Sequence, residues 1–168
     1  MDGGMDRSVI DGLQSRFVGL EASEFRGQWR VVIDRARLLA LLTALRDEYG
    51  FDLLVDVTCV DYLHYRGARD RFGLVYLLAN TRTNQRIAVR CYVNEPDAWV
   101  PSVVGLWEGA NWPEREVYDL FGIRFEGHPD LRRIVLPEQF TAHPLRKDYP
   151  LQGRGERHHF PVIHRADG

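Results

Sequence analysis

Apolar residues in the first two-thirds of the chain recur with a helical spacing in some segments and form short runs in others. The clearest helical segment begins after Asp34, a suitable N-cap residue, and ends before Gly50, a suitable C′ residue. Leucines form its apolar face: Leu38, Leu41, Leu42 and Leu45. A weaker pattern predicts a short N-terminal helix that begins at Asp6 or Ser8. Its apolar face consists of Val9, Ile10, Leu13 and Phe17.

Apolar runs between polar turns are predicted strands. They cover residues 21–25, 29–33, 53–65, 72–80 and 86–93. Gly27 marks the first turn, and the polar segments 66–70 and 81–85 separate the last three runs, which favours antiparallel pairing of neighbours. The order α-β-β-α-β-β-β predicts an α+β fold, a two-layer sandwich in which an antiparallel or mixed sheet carries the helices on one face.

A third, shorter helix is predicted after Pro96 and Pro101 break the strand pattern. Asn111 and Glu114 are spaced as an N-cap residue and its N3 partner, and Gly122 is placed to end the helix. Its apolar face consists of Val117, Leu120 and Phe121. A helix of about ten residues is unstable alone in water, so we expect it to pack against the rest of the fold.

From residue 124 onward the chain follows neither a helical nor an alternating period. Prolines interrupt it: Pro129, Pro137, Pro144, Pro150 and Pro161. We therefore predict an α+β core domain over residues 1–123 and an extended arm over residues 124–168. Disorder is the alternative, but disordered segments seldom carry so many large apolar side chains. They include Phe125, Leu131, Ile134, Val135, Leu136, Phe140, Leu145, Tyr149, Leu151 and Phe160. This content favours an arm that docks on a partner.

Charged residues in the arm and the third helix are the candidate contacts. The arm places basic residues beside acidic ones: Arg132, Arg133, Arg146 and Lys147 beside Asp130 and Asp148. Arginine suits ion pairs at interfaces, and a solvated loop is the alternative. In the helix, the acidic cluster Glu114, Glu116 and Asp119 predicts a solvated or partner-facing surface, with Arg115 able to pair with Asp119 at i,i+4.

Composition argues against several functional classes. The formal charge is −2, from 22 basic and 24 acidic residues, so nucleic-acid binding is not expected. Cys59 and Cys91 are too few for an iron–sulfur cluster, which needs four thiolates. We interpret them as small buried residues in neighbouring strands, with a disulfide as the alternative. Histidines of the arm lack metal-site spacing: His128, His143, His158, His159 and His164.

Membrane insertion and secretion are not predicted either. The apolar stretches fall well short of the ~20 residues that span a bilayer. The N-terminus lacks the basic and apolar regions of a secretory signal. We therefore expect a cytoplasmic protein that associates with a membrane only through a partner.

Three blocks in the second half of the chain resemble the signature of the C subunit of NADH–quinone oxidoreductase, the respiratory complex I. They read EREVYDLFGI over residues 114–123, GHPDLRRI over 127–134 and HPLRKDYPL over 143–151. A weaker likeness extends back to about residue 30 and includes residues 56–62. Thr141-Ala142 departs from the Glu-Gly that many relatives carry there, which removes easy access to positive φ, and the likeness fades beyond Gly153.

The resemblance implies a scaffold subunit in the hydrophilic peripheral arm of the complex, on the cytoplasmic side of the prokaryotic inner membrane. It implies no cofactor in this chain, with FMN and iron–sulfur clusters on other subunits, and packing against the D subunit, a large subunit that helps to form the quinone site. The complex as a whole oxidises NADH, reduces a quinone such as ubiquinone, and translocates protons. An equivalent subunit of a membrane-bound hydrogenase-type complex is one alternative, and a stand-alone metal hydrolase that uses the histidines of the arm is another.

No catalytic, cofactor-binding or metal-binding residue is predicted. The predicted partner-binding residues all lie in the three blocks: Glu114, Arg115, Glu116, Asp119, His128, Arg132, Arg133, His143, Arg146, Lys147, Asp148 and Tyr149.

Overall fold

The computed structural model describes residues 7–156, which form three α-helices, seven strands and one 3₁₀ turn. The helices are α1 (Arg7–Arg16), α2 (Arg35–Asp47) and α3 (Asn111–Phe121), with the 3₁₀ turn Glu108–Ala110 just before α3. The strands are β1 (Glu21–Phe25), β2 (Gln28–Val32), β3 (Leu53–Asp61), β4 (Phe72–Ala79), β5 (Arg86–Val93), β6 (Trp99–Pro101) and β7 (Arg124–Glu126). None of the helices within this part of the chain has the length and apolar character needed to cross a membrane.

A five-stranded mixed sheet has the order β1-β2-β5-β4-β3. The predicted antiparallel pairing of β3 with β4 and of β4 with β5 is confirmed, and β1 pairs with β2 in the same way. The parallel contact between β2 and β5 makes the sheet mixed. The predicted α+β class is therefore confirmed.

Strand β3 ends earlier than the sequence pattern predicts. The apolar run continues to residue 65, but the strand stops at Asp61. There the Asp61 carboxylate accepts a hydrogen bond from the Leu63 N–H (2.9 Å), and the Tyr65 N–H bonds to the Tyr62 carbonyl (2.8 Å). A side-chain acceptor that competes with the strand ladder turns the chain at this point.

The helices bury their apolar faces against one face of the sheet. All four leucines predicted for α2 are fully buried, and they join Tyr76, Leu74 and Val89 of the central strands in one cluster. The predicted N-cap is also confirmed, because the Asp34 carboxylate accepts a hydrogen bond from the Ala36 N–H (2.8 Å). Ile10 and Leu13 of α1 complete this cluster.

The two cysteines are buried and free, but they do not lie on neighbouring strands as the sequence suggested. Strand β4 separates β3 from β5, and Leu74 of β4 lies opposite both Cys59 and Cys91. Burial raises the pKa of each thiol to about 12, so both stay protonated and unreactive near neutral pH.

A small parallel pair, β6 with β7, was not predicted. It falls across the predicted boundary between core and arm, since β7 begins at Arg124. Phe125 of β7 is buried with Val100 of β6 in the main apolar cluster. The first residues of the predicted arm are thus part of the core fold.

Candidate functional site

Helix α3 starts without the predicted cap. Ala110 occupies the N-cap position and makes no side-chain hydrogen bond there. The Glu114 carboxylate instead accepts hydrogen bonds from the Val103 N–H (2.7 Å) and the Ser102 hydroxyl (2.6 Å), both on the segment that follows β6. The predicted pairing of Asn111 with Glu114 as a capping box is therefore wrong. Glu114 fastens the helix to β6 rather than closing its own first turn.

Glu114 is fully buried. The His128 imidazole, also buried, lies 4.0 Å from its carboxylate, and its Nε2 is 3.3 Å from the Asn111 carbonyl. Burial raises the pKa of the Glu114 carboxyl to about 7, although the two donors favour the charged form. The acidic residue that looked solvent-facing in the sequence is thus an interior acid that titrates near neutrality.

Replacing Glu114 by glutamine should remove a pH dependence from folding stability. The raised pKa means that the folded protein holds a proton that the unfolded chain releases above about pH 4.5, so stability falls as pH rises from there to about 7. Glutamine resembles the neutral acid, because its oxygen can accept from Val103 and its amide can donate to Ser102. Between pH 4.5 and pH 7, the free energy of unfolding of the parent should fall relative to that of the Glu114→Gln variant, by up to about 3 kcal/mol. Urea unfolding at several pH values measures this difference.

Glu116→Gln is the matched control, since Glu116 lies on the same helix and is exposed. Its stability should follow that of the parent protein at every pH. A Glu114→Gln curve that stays parallel to the parent from acid to neutral pH would contradict a buried neutral acid at this position.

Asp119, in the last turns of α3, is the centre of the contact with the arm. Its carboxylate is fully buried and accepts backbone hydrogen bonds from three successive residues: Ile134 (3.0 Å), Val135 (2.8 Å) and Leu136 (2.8 Å). Arg133 donates to the same carboxylate at 2.5 Å. Burial alone would raise the pKa of Asp119, but these donors outweigh it and hold the pKa below its usual value.

Arginines from both elements complete this contact. Arg115, almost fully buried, donates to the carbonyls of Arg132 (3.1 Å) and Arg133 (3.2 Å) rather than forming the predicted pair with Asp119. Arg133 also donates to the Ala142 carbonyl (3.2 Å). The His143 Nδ1 lies 2.9 Å from the Asp119 carbonyl. The end of α3 is therefore enclosed by residues 132–143 of its own chain.

The third block attaches beside this site. The Arg146 guanidinium donates to the Phe121 carbonyl at the end of α3 (2.5 Å) and to the Glu95 carboxylate (2.6 Å). The Lys147 N–H donates to Asp61 (2.9 Å) at the end of β3. Arg71 links these groups, because it contacts the carboxylates of Asp61 (3.2 Å), Asp148 (2.9 Å) and Glu95. We call this set of contacts between residues 114–123 and residues 132–148, with Asp61, Arg71 and Glu95, the α3–arm junction.

The structure separates two residues that the sequence treated alike. Arg146 makes its contacts within its own chain, whereas Lys147 is exposed and uses only its backbone N–H. Arg146→Ala should lower the free energy of unfolding of the isolated chain by about 1–3 kcal/mol, because it removes charged hydrogen bonds that are largely shielded from water. Lys147→Ala should change it by less than about 0.5 kcal/mol. Equal losses in urea unfolding would contradict the assignment of Arg146 to the junction.

The predicted partner-binding residues therefore fall into a buried group, which includes His128, and an exposed group, with Tyr149 between them. Glu114 and Asp119 are fully buried by their own chain, so the prediction that they lie on a solvated surface is wrong. The contacts of Arg115, Arg133, His143 and Arg146 are also within the chain. Exposed groups remain: Glu116, Arg132, Lys147 and Asp148. Tyr149 is half-buried and donates its hydroxyl to Glu156 (2.7 Å). Asp61, Arg71 and Glu95 were missed, because nothing local in the sequence links them to a segment so far along the chain.

Possible metal ligands are not grouped at the junction. Within residues 7–156, no three His, Cys, Asp or Glu side chains are arranged to hold a metal ion. His158, His159 and His164, which the alternative of a metal hydrolase would use, lie outside the described residues.

Comparison with known proteins identifies the family. Residues 31–155 match the family model described as the respiratory-chain NADH dehydrogenase 30 Kd subunit. The chain belongs to this family. The NADH-quinone oxidoreductase C subunit of Trichlorobacter lovleyi is 46% identical over 149 residues, which cover 88% of this chain and 91% of that protein. The C subunit of Geotalea uraniireducens is 44% identical over a match that covers 88% of this chain and 89% of that protein.

Solved structures agree with this assignment. A trypsin-resistant fragment of Nqo5 shares 39% identity and superposes with a TM-score of 0.67 over 74% of this chain and 98% of the fragment. One chain of the membrane-bound sulfane sulfur reductase, an archaeal respiratory membrane complex, superposes with a TM-score of 0.76 over 95% of this chain and 93% of its own. At 21% identity, the second likeness concerns the fold alone. The resemblance of this chain to the C subunit of complex I is confirmed.

Proposed function

We propose that this chain is a structural subunit in the peripheral arm of an NADH–quinone oxidoreductase. In that role it supports electron transfer from NADH to quinone, coupled to proton translocation, without a catalytic centre of its own. One observation carries the proposal: the three sequence blocks that mark the family converge on the α3–arm junction. Own-chain contacts satisfy the buried charges there, and apolar side chains of the same segment face outward.

The outward side chains form a surface suited to a partner protein. Four large aliphatic residues of the arm are exposed: Ile134, Val135, Leu145 and Leu151. Beside them, an open apolar cup is lined by Leu136, Pro137, Phe140, Pro144, Tyr149 and Leu151. Apolar groups concentrated on one irregular segment are typical of a protein interface rather than of a solvated loop.

We infer that the partner on this surface is the D subunit of the complex. Exposed charged groups of the blocks would form the rim of that interface: Glu116, Arg132, Lys147 and Asp148. We assign the FMN and the iron–sulfur clusters of the complex to other subunits. For the clusters the reason is that the two cysteines of the chain, Cys59 and Cys91, are too few, are buried and are separated by a strand. The complex would hold the chain at the cytoplasmic side of the prokaryotic inner membrane.

Co-expression with a candidate D subunit, followed by affinity capture and limited trypsin digestion, tests the proposal. Trypsin cleaves after Lys147 and Arg154, both exposed in the chain alone, so stoichiometric binding should slow cleavage at these two sites. Cleavage after Arg82, which is exposed in the turn between β4 and β5, should continue at its original rate. Arg133 and Arg146 are poor reporters, because contacts within the chain already restrict them.

Capture of a stoichiometric complex with this selective protection would support both the role and the partner. A chain that remains monomeric in the presence of the D subunit would contradict the proposal. A complex in which Lys147 and Arg154 are cleaved as fast as before would keep the subunit role but move the interface away from the arm.

A further inference from the structure

The face of the five-stranded sheet that points away from the helices carries apolar residues where polar ones are usual. An antiparallel sheet with one solvated face normally alternates apolar inward and polar outward residues. Here the strand register places aliphatic residues and arginines side by side on the outward face, next to the polar Asp56 and Thr58 of β3. The residues that concern us are Arg30, Val32, Val60, Leu77, Ala88 and Arg90. We call this group the open sheet face. Val60 is 39% exposed and Leu77 is 36% exposed, so aliphatic side chains of two neighbouring strands reach the surface beside the arginines.

Two arginines in the middle of this face each carry an unsatisfied donor. Arg30 and Arg90 lie on the paired strands β2 and β5, two residues apart in the register. The Nε atom of each is buried and makes no hydrogen bond with any residue in the described range 7–156. Other buried arginine groups of the fold do have carboxylate partners, such as Arg71 with Asp61 and Arg133 with Asp119. A buried donor without a partner is unfavourable, so each of these two guanidinium groups is able to take a further hydrogen-bond acceptor.

We propose that the open sheet face binds a second protein subunit that places a carboxylate against Arg30 and Arg90 and covers the aliphatic residues around them. Guanidinium groups bind carboxylates bidentately, and surrounding apolar contacts would exclude water from the ion pair. A phosphate-bearing ligand would use the charges but leave Val60 and Leu77 exposed. A second copy of this chain, stacked on the same face about an axis near the arginines, would oppose like charges. The inference rests on the proposed function, since the partner is another subunit of the same complex.

Labelling of an introduced cysteine can probe this face, because the two native thiols are buried and do not react. Cys59 and Cys91 are buried, so a cysteine introduced at Leu77 would be the reactive thiol of the chain. A maleimide should label the Leu77→Cys variant readily in the isolated chain. In the complex with its subunits, the rate should fall at least about tenfold, since the centre of an interface excludes water. Leu39→Cys, at an exposed position on α2, is the matched control and should label equally in both states.

Charge reversal tests the carboxylate. Arg90→Glu should weaken incorporation into the complex at least about tenfold, whereas Arg82→Glu, which makes the same change of net charge at an exposed turn, should leave it unchanged. Thermal melting of both isolated variants separates an interface effect from a folding defect. Selective loss with Arg90→Glu, at an unchanged melting temperature, is the expected result.

Other results would overturn the inference. A Leu77→Cys thiol that stays reactive in an intact complex would overturn it while leaving the proposed function in place. Protection that increases with the concentration of the isolated chain would assign the face to a second copy. Protection in the dilute isolated chain would mean that the chain covers the face itself. Failure of the parent chain to form any complex would remove the proposed function, and the inference with it.

Discussion

Replacing Asp119 by alanine should lower the free energy of unfolding by about 3–5 kcal/mol, the range observed when one partner of a buried ion pair is removed. The substitution leaves Arg133 without its carboxylate and three successive N–H groups without an acceptor, from Ile134 to Leu136. Urea unfolding measures the loss. These donors would regain hydrogen bonds to water if the arm segment detached from α3. We therefore also expect faster proteolysis after Arg133 in the variant.

Two comparisons make this prediction specific. Asp119→Asn keeps one acceptor oxygen, so its free energy of unfolding should fall by less than that of the alanine variant. Glu116→Ala, at an exposed position of the same helix, should change the free energy of unfolding by less than about 0.5 kcal/mol. The lowered pKa of Asp119 adds a pH test with a definite sign. The stabilisation by ionised Asp119 is fully present above the pKa of the unfolded chain, about 4. It is lost as the pH falls through the lower pKa of the folded protein. An Asp119→Ala variant as stable as the parent at neutral pH would contradict this role.

The outline of the core could be predicted from sequence because its signals are local. The leucines of α2, the apolar run of β4 and the alternation in β5 each lie within one element. Short connections join β3, β4 and β5 in order. The parallel contact of β2 with β5 and the β6–β7 pair have no such signal. Each joins segments separated by a helix, so only the packed fold specifies them.

The interpretation of the acidic cluster failed for a physical reason. A carboxylate that faces water and one that is buried with its donors look the same in sequence, and Glu114 and Asp119 find their donors on distant segments. The contact between Asp61 and the Lys147 N–H spans 86 positions. The sequence predicted an extended arm rich in apolar anchors, and residues 127–156 contain no helix or strand. Several of its charged residues bind its own helix, and the proposed partner surface consists of the side chains that remain outside.

Gly122→Ala should be as damaging to the α3–arm junction as the loss of a buried charge. Gly122 ends α3 with a φ of +76°, a left-handed conformation that strains any residue with a Cβ. A Cβ there would also lie 2.6 Å from the His143 ring and 2.7 Å from the Arg146 guanidinium. Both are junction groups bound to backbone carbonyls of α3, so neither can move without losing hydrogen bonds. We expect a loss of about 3 kcal/mol or more in urea unfolding, from backbone strain of about 1–2 kcal/mol plus the displaced contacts.

Gly127→Ala isolates the steric part of this effect. Gly127 has nearly the same backbone conformation, with a φ of +81°, but a Cβ there would meet nothing within 4 Å. It should therefore lose only the backbone strain, about 1–2 kcal/mol. The difference between the two variants measures how tightly the arm closes over the end of α3. If the two variants lose the same free energy of unfolding, His143 and Arg146 move aside at no cost. The junction is then a weak contact in the isolated chain, and a partner subunit would have to stabilise it. If Gly122→Ala loses clearly more, the arm is already seated in the isolated chain and presents a preformed surface to that partner.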